Sequence, residues 1–129
     1  MQTTPEENIG PERFYFGALG RGRFLIQRCE ACSRAIFYPR TFCPHCGGET
    51  LNWFEPSGKG TVYATTSIFP AGDAEPYNVS IVDLDEGVRL MSRVVGVPSD
   101  AVSIGMRVSA HIEGSEEAAK LVFAIEQGN

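Results

Sequence analysis

The chain has 129 residues, 43% of them hydrophobic and 21% charged, which excludes a disordered chain, a coiled coil and a collagen-like repeat. No window reaches the roughly 18 consecutive apolar residues that a membrane-spanning helix needs, and the polar, acidic start at Met1–Asn8 carries no signal-peptide pattern, so a cytoplasmic location is expected. The net charge of −5 is the opposite of what a free-standing nucleic-acid binder usually carries.

The charge is unevenly spread: +1 through Trp53 and −6 from Phe54 onward. All four cysteines lie in the first part and most of the period-two alternation in the second, so two small modules are expected to meet near Phe54. Residues 1–10 read as a tail, with Pro5 and Gly10 and few apolar side chains. Residues 11–22 read as a helix and its stop. Pro11 suits a first turn, Glu12 suits the dipole, the helix runs to about Leu19, and Gly20 and Gly22 end it. Phe14, Tyr15, Phe16 and Leu19 are too apolar for a solvated helix. They either cover the chain's own core or meet a partner protein.

Residues 23–53 contain two short strands, Phe24–Arg28 and Ile36–Tyr38, and the spacing C-x2-C-x10-C-x2-C from Cys29, Cys32, Cys43 and Cys46. Residues 54–129 read as five strands: Thr61–Phe69 with Val62, Ala64, Thr66 and Ile68 on one face, Tyr77–Leu84, Val88–Val97, Arg107–Glu113 and Leu121–Ile125. Asp85-Glu86-Gly87 and Gly114-Ser115-Glu116-Glu117 are hairpin turns. Between the third and fourth strands, Ser99 and Gly105 suit the cap and stop of a short helix. Five strands with a helix there is the layout of an OB-fold, a small Greek-key barrel. The expected class is therefore mainly β: an N-terminal helix, a rubredoxin-like zinc ribbon, and a five-stranded OB barrel.

Two C-x-x-C pairs at this distance are a strong zinc signal. Zinc takes four thiolates tetrahedrally at about 2.3 Å, and a C-x-x-C turn presents two sulfurs from one knuckle. Gly47 can take the positive φ that the second knuckle needs, whereas Ser33 stands at the equivalent place in the first. Four thiolates close the site to water, so the metal is structural. Iron in a rubredoxin-like site and two disulfides are the weaker alternatives, the latter disfavoured by the absence of extracellular features. His45 reads as an exposed loop residue. No phosphate loop, dinucleotide fingerprint or nucleophile elbow is present. His111 falls on the polar face of a strand, and Asp83, Asp85 and Glu86 read as solvated turn residues. No catalytic set is legible.

The ordered motifs carry a family resemblance. They are Phe16-Gly17-Ala18-Leu19-Gly20-Arg21-Gly22, then Gln27-Arg28-Cys29 with Cys32, then Phe37, Pro39-Arg40, Cys43-Pro44 and Cys46-Gly47. Trp53, Ser57-Gly58, Gly60-Thr61-Val62-Tyr63, Pro76-Tyr77, the run Val82–Leu90, and Ile104-Gly105-Met106 with Val108 follow. In this order they resemble the zinc-ribbon plus OB-fold, acyl-CoA-associated family catalogued as domain of unknown function 35.

That resemblance implies an accessory subunit that is not catalytic alone. It would bind a thiolase-like or hydratase-like enzyme in a hetero-oligomer, with acyl-CoA as a shared ligand. The reactions it implies are C–C bond formation or cleavage, among them retro-aldol cleavage of a steroid side-chain acyl-CoA, and acyl transfer. Arg21, Arg23, Arg28, Arg34 and Arg40 are then candidates for the CoA phosphates, because guanidinium binds phosphate bidentately. Phe14, Tyr15 and Phe16 are candidates for the partner interface. The competing reading is a single-stranded nucleic-acid module with Tyr63, Phe69 and Tyr77 stacking bases. Its barrel is acidic and the chain holds only two lysines, so phosphate attraction would be poor.

Overall fold

A computed structural model describes residues 10–125. Helix α1 (Pro11–Gly20) starts at proline and buries Tyr15, Ala18 and Leu19, the i, i+3, i+4 spacing of a single helix face. Arg21 and Arg23 both donate their N–H groups to the Ala18 carbonyl, and Gly22, at φ +85°, donates to Leu19, which closes the helix end.

The ribbon is a three-stranded antiparallel sheet in the order β2-β1-β3, with β1 at Ile26–Cys29, β2 at Ala35–Ile36 and β3 at Leu51–Phe54. The third strand has no sequence signature, because Leu51-Asn52-Trp53-Phe54 does not alternate. It is fixed instead by register against β1, Ile26 opposite Phe54 through Cys29 opposite Leu51.

The second sheet has the order β6-β5-β4-β8-β9-β7. Its strands are β4 (Lys59–Ile68), β5 (Tyr77–Leu84), β6 (Arg89–Ser92), β7 (Val94–Val95), β8 (Arg107–Glu113) and β9 (Lys120–Ile125). The expected third strand is broken at Arg93 into β6 and β7. β6 pairs with β5, and β7 pairs in parallel with β9, so the sheet closes into a barrel. Asn78 holds that closure: its side chain donates to the Val94 carbonyl and accepts from the Val94 N–H. Ser80 donates to the same Asn78 oxygen and lies 2.9 Å from Thr65 Oγ1.

Two expectations are corrected. The alternation assigned to Thr61–Phe69 does not continue through the strand. Val62 lies opposite Val82 but Ala64 opposite Ile81, so Tyr63 is the extra residue of a bulge. Beyond it the faces exchange, and Thr65 rather than Thr66 points inward, towards Ser80. The helix expected after Ser99 is only a 3-10 turn, Ser99–Ala101, with no side-chain cap. Buried Val102 is already extended, and the Gly105 N–H is taken by the Val62 carbonyl, which leaves no length for a second turn.

One apolar cluster joins Tyr15, Leu19, Phe24 and Ile26 to barrel residues Val62, Val82, Leu84, Val108 and Phe123. The two modules read from the sequence therefore share a core. A smaller cluster of Cys29, Ile36 and Cys43, with Cys32 and Leu51 against it, surrounds the thiols.

Candidate metal centre and interaction surfaces

The two knuckles repeat one turn. Ser33 N–H donates to the Cys29 carbonyl and Cys29 N–H to the Arg34 carbonyl; Gly47 N–H donates to Cys43 and Cys43 N–H to Gly48 in the same way. Both turns need a left-handed residue, and they have Gly47 at φ +81° and Ser33 at φ +67°. Ser33 is thus held in the strained region that a glycine would occupy freely, steadied by Arg28, whose Nη1 donates to its carbonyl.

This duplication brings the four sulfurs together across the knuckles. Cys29 Sγ lies 3.6 Å from Cys46 Sγ, Cys32 Sγ lies 3.7 Å from Cys43 Sγ, and all four fall within 4.8 Å of one another. A tetrahedron with zinc–sulfur bonds of about 2.3 Å has edges of about 3.8 Å, so the donor set fits the ion. The sulfur separations are far longer than the roughly 2.05 Å of a disulfide, and all four cysteines are free thiols.

Gly48 closes the site: a Cβ there would lie 3.2 Å from Cys29 Sγ and 3.4 Å from Cys46 Sγ. Burial opposes the Cys43 thiolate, but the N–H groups of Cys46 and His45 and the neighbouring thiols outweigh it and hold Cys43 down at about 7. The Gly48 N–H favours the Cys46 thiolate, yet Cys29 and burial prevail and push Cys46 up to about 11. Thiolates are the ligating form, so a metal entering the cluster displaces thiol protons. His45 is exposed and lies outside the sulfur cluster.

The five arginines are not gathered at one place. Arg28 stacks over the Phe54 ring at 4.4 Å. Arg21 lines a 480 Å³ cavity with Phe16, Glu116 and Glu117, and Arg40 lines a different, 700 Å³ cavity beneath the start of α1. Arg23 and Arg34 are exposed. The main chain of Arg40 is held on both sides by Gln27, whose Nε2 donates to the Arg40 carbonyl and whose Oε1 accepts the Arg40 N–H.

The three aromatics of α1 also part company. Phe14 lies against Trp53 with centroids 4.6 Å apart. Tyr15 is buried, edge-on to Phe24 and Phe37, and burial raises its phenol well above the usual range. It therefore faces this chain's own core and presents nothing to a partner, a correction to its place among the interface candidates. Phe16, 47% exposed, remains outside. Further exposed apolar surface stands at Phe69 and Ile104, which the sequence singles out for other reasons, and at Phe42 and Met91, which it does not. Phe42 lies outside any strand and is revealed only by the fold, whereas Met91 falls on the outer face of β6 opposite buried Leu90. His111, Glu55 and Ser57 line one cleft, but among the described residues no hydrogen bond joins them.

Residues 16–52 match the family model for the ChsH2 rubredoxin-like zinc ribbon domain, and residues 53–113 match that for the ChsH2 C-terminal OB-fold domain. A probable enoyl-CoA hydratase alpha subunit from Thermomonospora curvata is 40% identical over 99 residues, covering 74% of this chain but 31% of that protein. The benzoylsuccinyl-CoA thiolase subunit BbsA from Thauera aromatica is 31% identical over 91 residues, covering 68% of this chain and 63% of that one. The chain thus spans about a third of the first relative and under two thirds of the second. The solved structure of an Ltp2-ChsH2(DUF35) aldolase contains a chain 35% identical, with a TM-score of 0.78, covering 89% of this chain and 94% of that one.

Proposed function

The chain belongs to the DUF35 family of joined zinc ribbons and OB-folds, and we propose that it is the non-catalytic accessory subunit of an acyl-CoA enzyme of thiolase-like or hydratase-like fold. The observation that carries this reading is the closed four-thiol site. If it holds zinc, every coordination position is taken by Cys29, Cys32, Cys43 and Cys46, so the ion supplies architecture and no place for a reacting water. No linked nucleophile and base accompany it among the described residues, so the reacting groups belong to the partner. The relatives named for a hydratase, a thiolase and an aldolase support a partner of that kind.

In this reading the pair forms a hetero-oligomer, and acyl-CoA lies between the subunits during C–C bond cleavage or formation, or acyl transfer. Retro-aldol cleavage of a steroid side-chain acyl-CoA is one reaction of this class. The barrel's excess of acids leaves the CoA phosphates to the arginines on the helix and ribbon side, Arg21, Arg23, Arg28, Arg34 and Arg40, or to the partner itself.

Tagged protein recovered from its native source, with its companions identified by mass spectrometry, tests the proposal. A thiolase-fold or hydratase-fold protein at comparable abundance is the expected companion, with acyl-CoA turnover that needs both chains. Recovery of the chain alone, or with nucleic acid released by salt, would contradict it.

A further inference from the structure

We infer that the outer face of β4, β5 and β6 is an interface between two copies of this chain, related by a two-fold axis. This contact lies on the barrel and is distinct from any contact with a catalytic subunit.

The strand patterning is inverted there. A strand with one solvated face ordinarily points apolar side chains inward and polar ones outward. In β5 the buried positions include Asn78 and Ser80, whereas Val79 and Ile81 are half-buried on the outer face and Tyr77, on the same face, is exposed. The bulge at Tyr63 does the same for β4: Thr65 turns inward to Ser80, while Ala64 comes to lie opposite Ile81 and Ile68 opposite Tyr77. Met91 of β6 continues the row on the other side of Ile81 and is 69% exposed. The polar groups inside satisfy one another and the Val94 main chain.

Five of the eight exposed large hydrophobic side chains among the described residues stand on or around this face. Tyr63, Tyr77 and Met91 are on it, Phe69 follows the end of β4, and Ile104 lies beside the bulge, where the Gly105 N–H is bonded to the Val62 carbonyl. Together they expose on the order of 500 Å² of side chain, a large part of the roughly 800 Å² that each partner gives to a standard interface.

The charges around the face point to a second copy as its occupant. An isologous interface needs both halves of each contact in one patch. At one end the carboxylates are already taken, Asp83 by Arg89 and Asp85 by Arg107. At the Tyr77 end both signs are left over. Arg93 lies over the Tyr77 ring at 5.5 Å, and Glu75, in the same exposed loop as Asp73, comes two residues before that ring. Among the described residues none of the three makes an ion pair. A two-fold axis near Tyr77 sets each Arg93 against Glu75 of the other copy, whereas a partner of a single charge sign would leave one of them unmatched.

Sedimentation equilibrium of the zinc-loaded full chain, from about 1 to about 200 µM, tests the contact. The mass should rise from 14.1 kDa towards twice that value. Met91→Lys and Arg93→Glu should each weaken association about tenfold or more, and the double variant Arg93→Glu, Glu75→Arg should regain it. Phe42→Lys, on the ribbon, should change nothing. A chain that stays monomeric throughout, association untouched by Met91→Lys, or no recovery in the double variant overturns the inference. So does a Met91→Lys chain whose own mass is unchanged but which no longer captures its native companion, since the companion would then be the occupant. Because the isolated chain is used, failure here leaves the accessory role standing, and failure of the co-purification leaves this result standing.

Discussion

Gly48 shows how little tolerance the sulfur cluster has. An alanine methyl there would sit 3.2 Å from Cys29 Sγ and 3.3 Å from Ala31 Cβ, close enough that one knuckle must move. Gly48→Ala is expected to lower metal affinity roughly 10- to 100-fold, the usual cost of disturbing groups around a metal site, measured by competition with a chromophoric chelator. Cys32→Ser or Cys43→Ser should remove the ion outright. A structural zinc supplies about 10–16 kcal/mol of apparent folding energy in a small module, and the ribbon buries only a handful of side chains around its thiols, so either variant should lose the ribbon's near-ultraviolet signal.

At the barrel's acidic turn, Asp85 receives two hydrogen bonds from Arg107, at 2.9 and 2.8 Å, and these bonds hold its carboxyl below the usual range. A carboxylate whose pKa is lowered by folding stabilises the fold above its unfolded pKa, and that contribution fades as pH falls through the folded value. Both side chains are nearly half exposed, so the effect is small. Arg107→Ala should flatten the acid limb of stability against pH without changing the plateau above pH 6 by more than about 1 kcal/mol. An unchanged acid limb would show that the pair does nothing.

Two glycines of α1 separate helix propensity from packing. At Gly17 a Cβ would meet only Arg21 Nη1, at 3.6 Å, whereas at Gly20 it would lie 2.8 Å from the Glu116 carbonyl oxygen and 2.9 Å from Glu116 Cα. Gly17→Ala should therefore stabilise the free chain by about 0.5–1 kcal/mol, and Gly20→Ala should destabilise it by about 1–3 kcal/mol. Thermal unfolding of both variants decides the signs.

The same scale explains which elements the sequence reveals. The cysteine spacing brings four sulfurs together because a C-x-x-C turn is a local structure, and two of them meeting through a metal need little else. α1 is legible from Pro11 and its apolar face, and Arg107–Glu113 from clean alternation. The bulge at Tyr63 is not, because it is set by the partner strand's register and not by Tyr63 itself. β3 is hidden for a similar reason: its four residues are a strand only because β1 lies beside them. That α1 carries apolar side chains is legible, but which of Phe14, Tyr15 and Phe16 turns inward depends on the helix's orientation over Phe24 and Phe37.

On the scale of the whole molecule, the helix is part of the barrel's core. Leu19, 2% exposed, shares a cluster with Val62, Val82 and Phe123. Leu19→Ala should cost about 2–5 kcal/mol, and helix and barrel signals should melt together. Two separate transitions would mean that the shared cluster does not couple them. Such a shared core fixes the ribbon and the barrel in one relation to each other.

The central claim, that this chain completes another enzyme and performs no chemistry itself, is tested most directly by reconstitution. Purified zinc-loaded chain is titrated into the catalytic subunit recovered with it, with light scattering and acyl-CoA turnover followed together. The prediction is no turnover from this chain alone, and a turnover that rises with hetero-oligomer formation and saturates at a fixed ratio of the two. Turnover by the isolated chain, or a mixture in which it stays monomeric while its companion is fully active, would contradict the account.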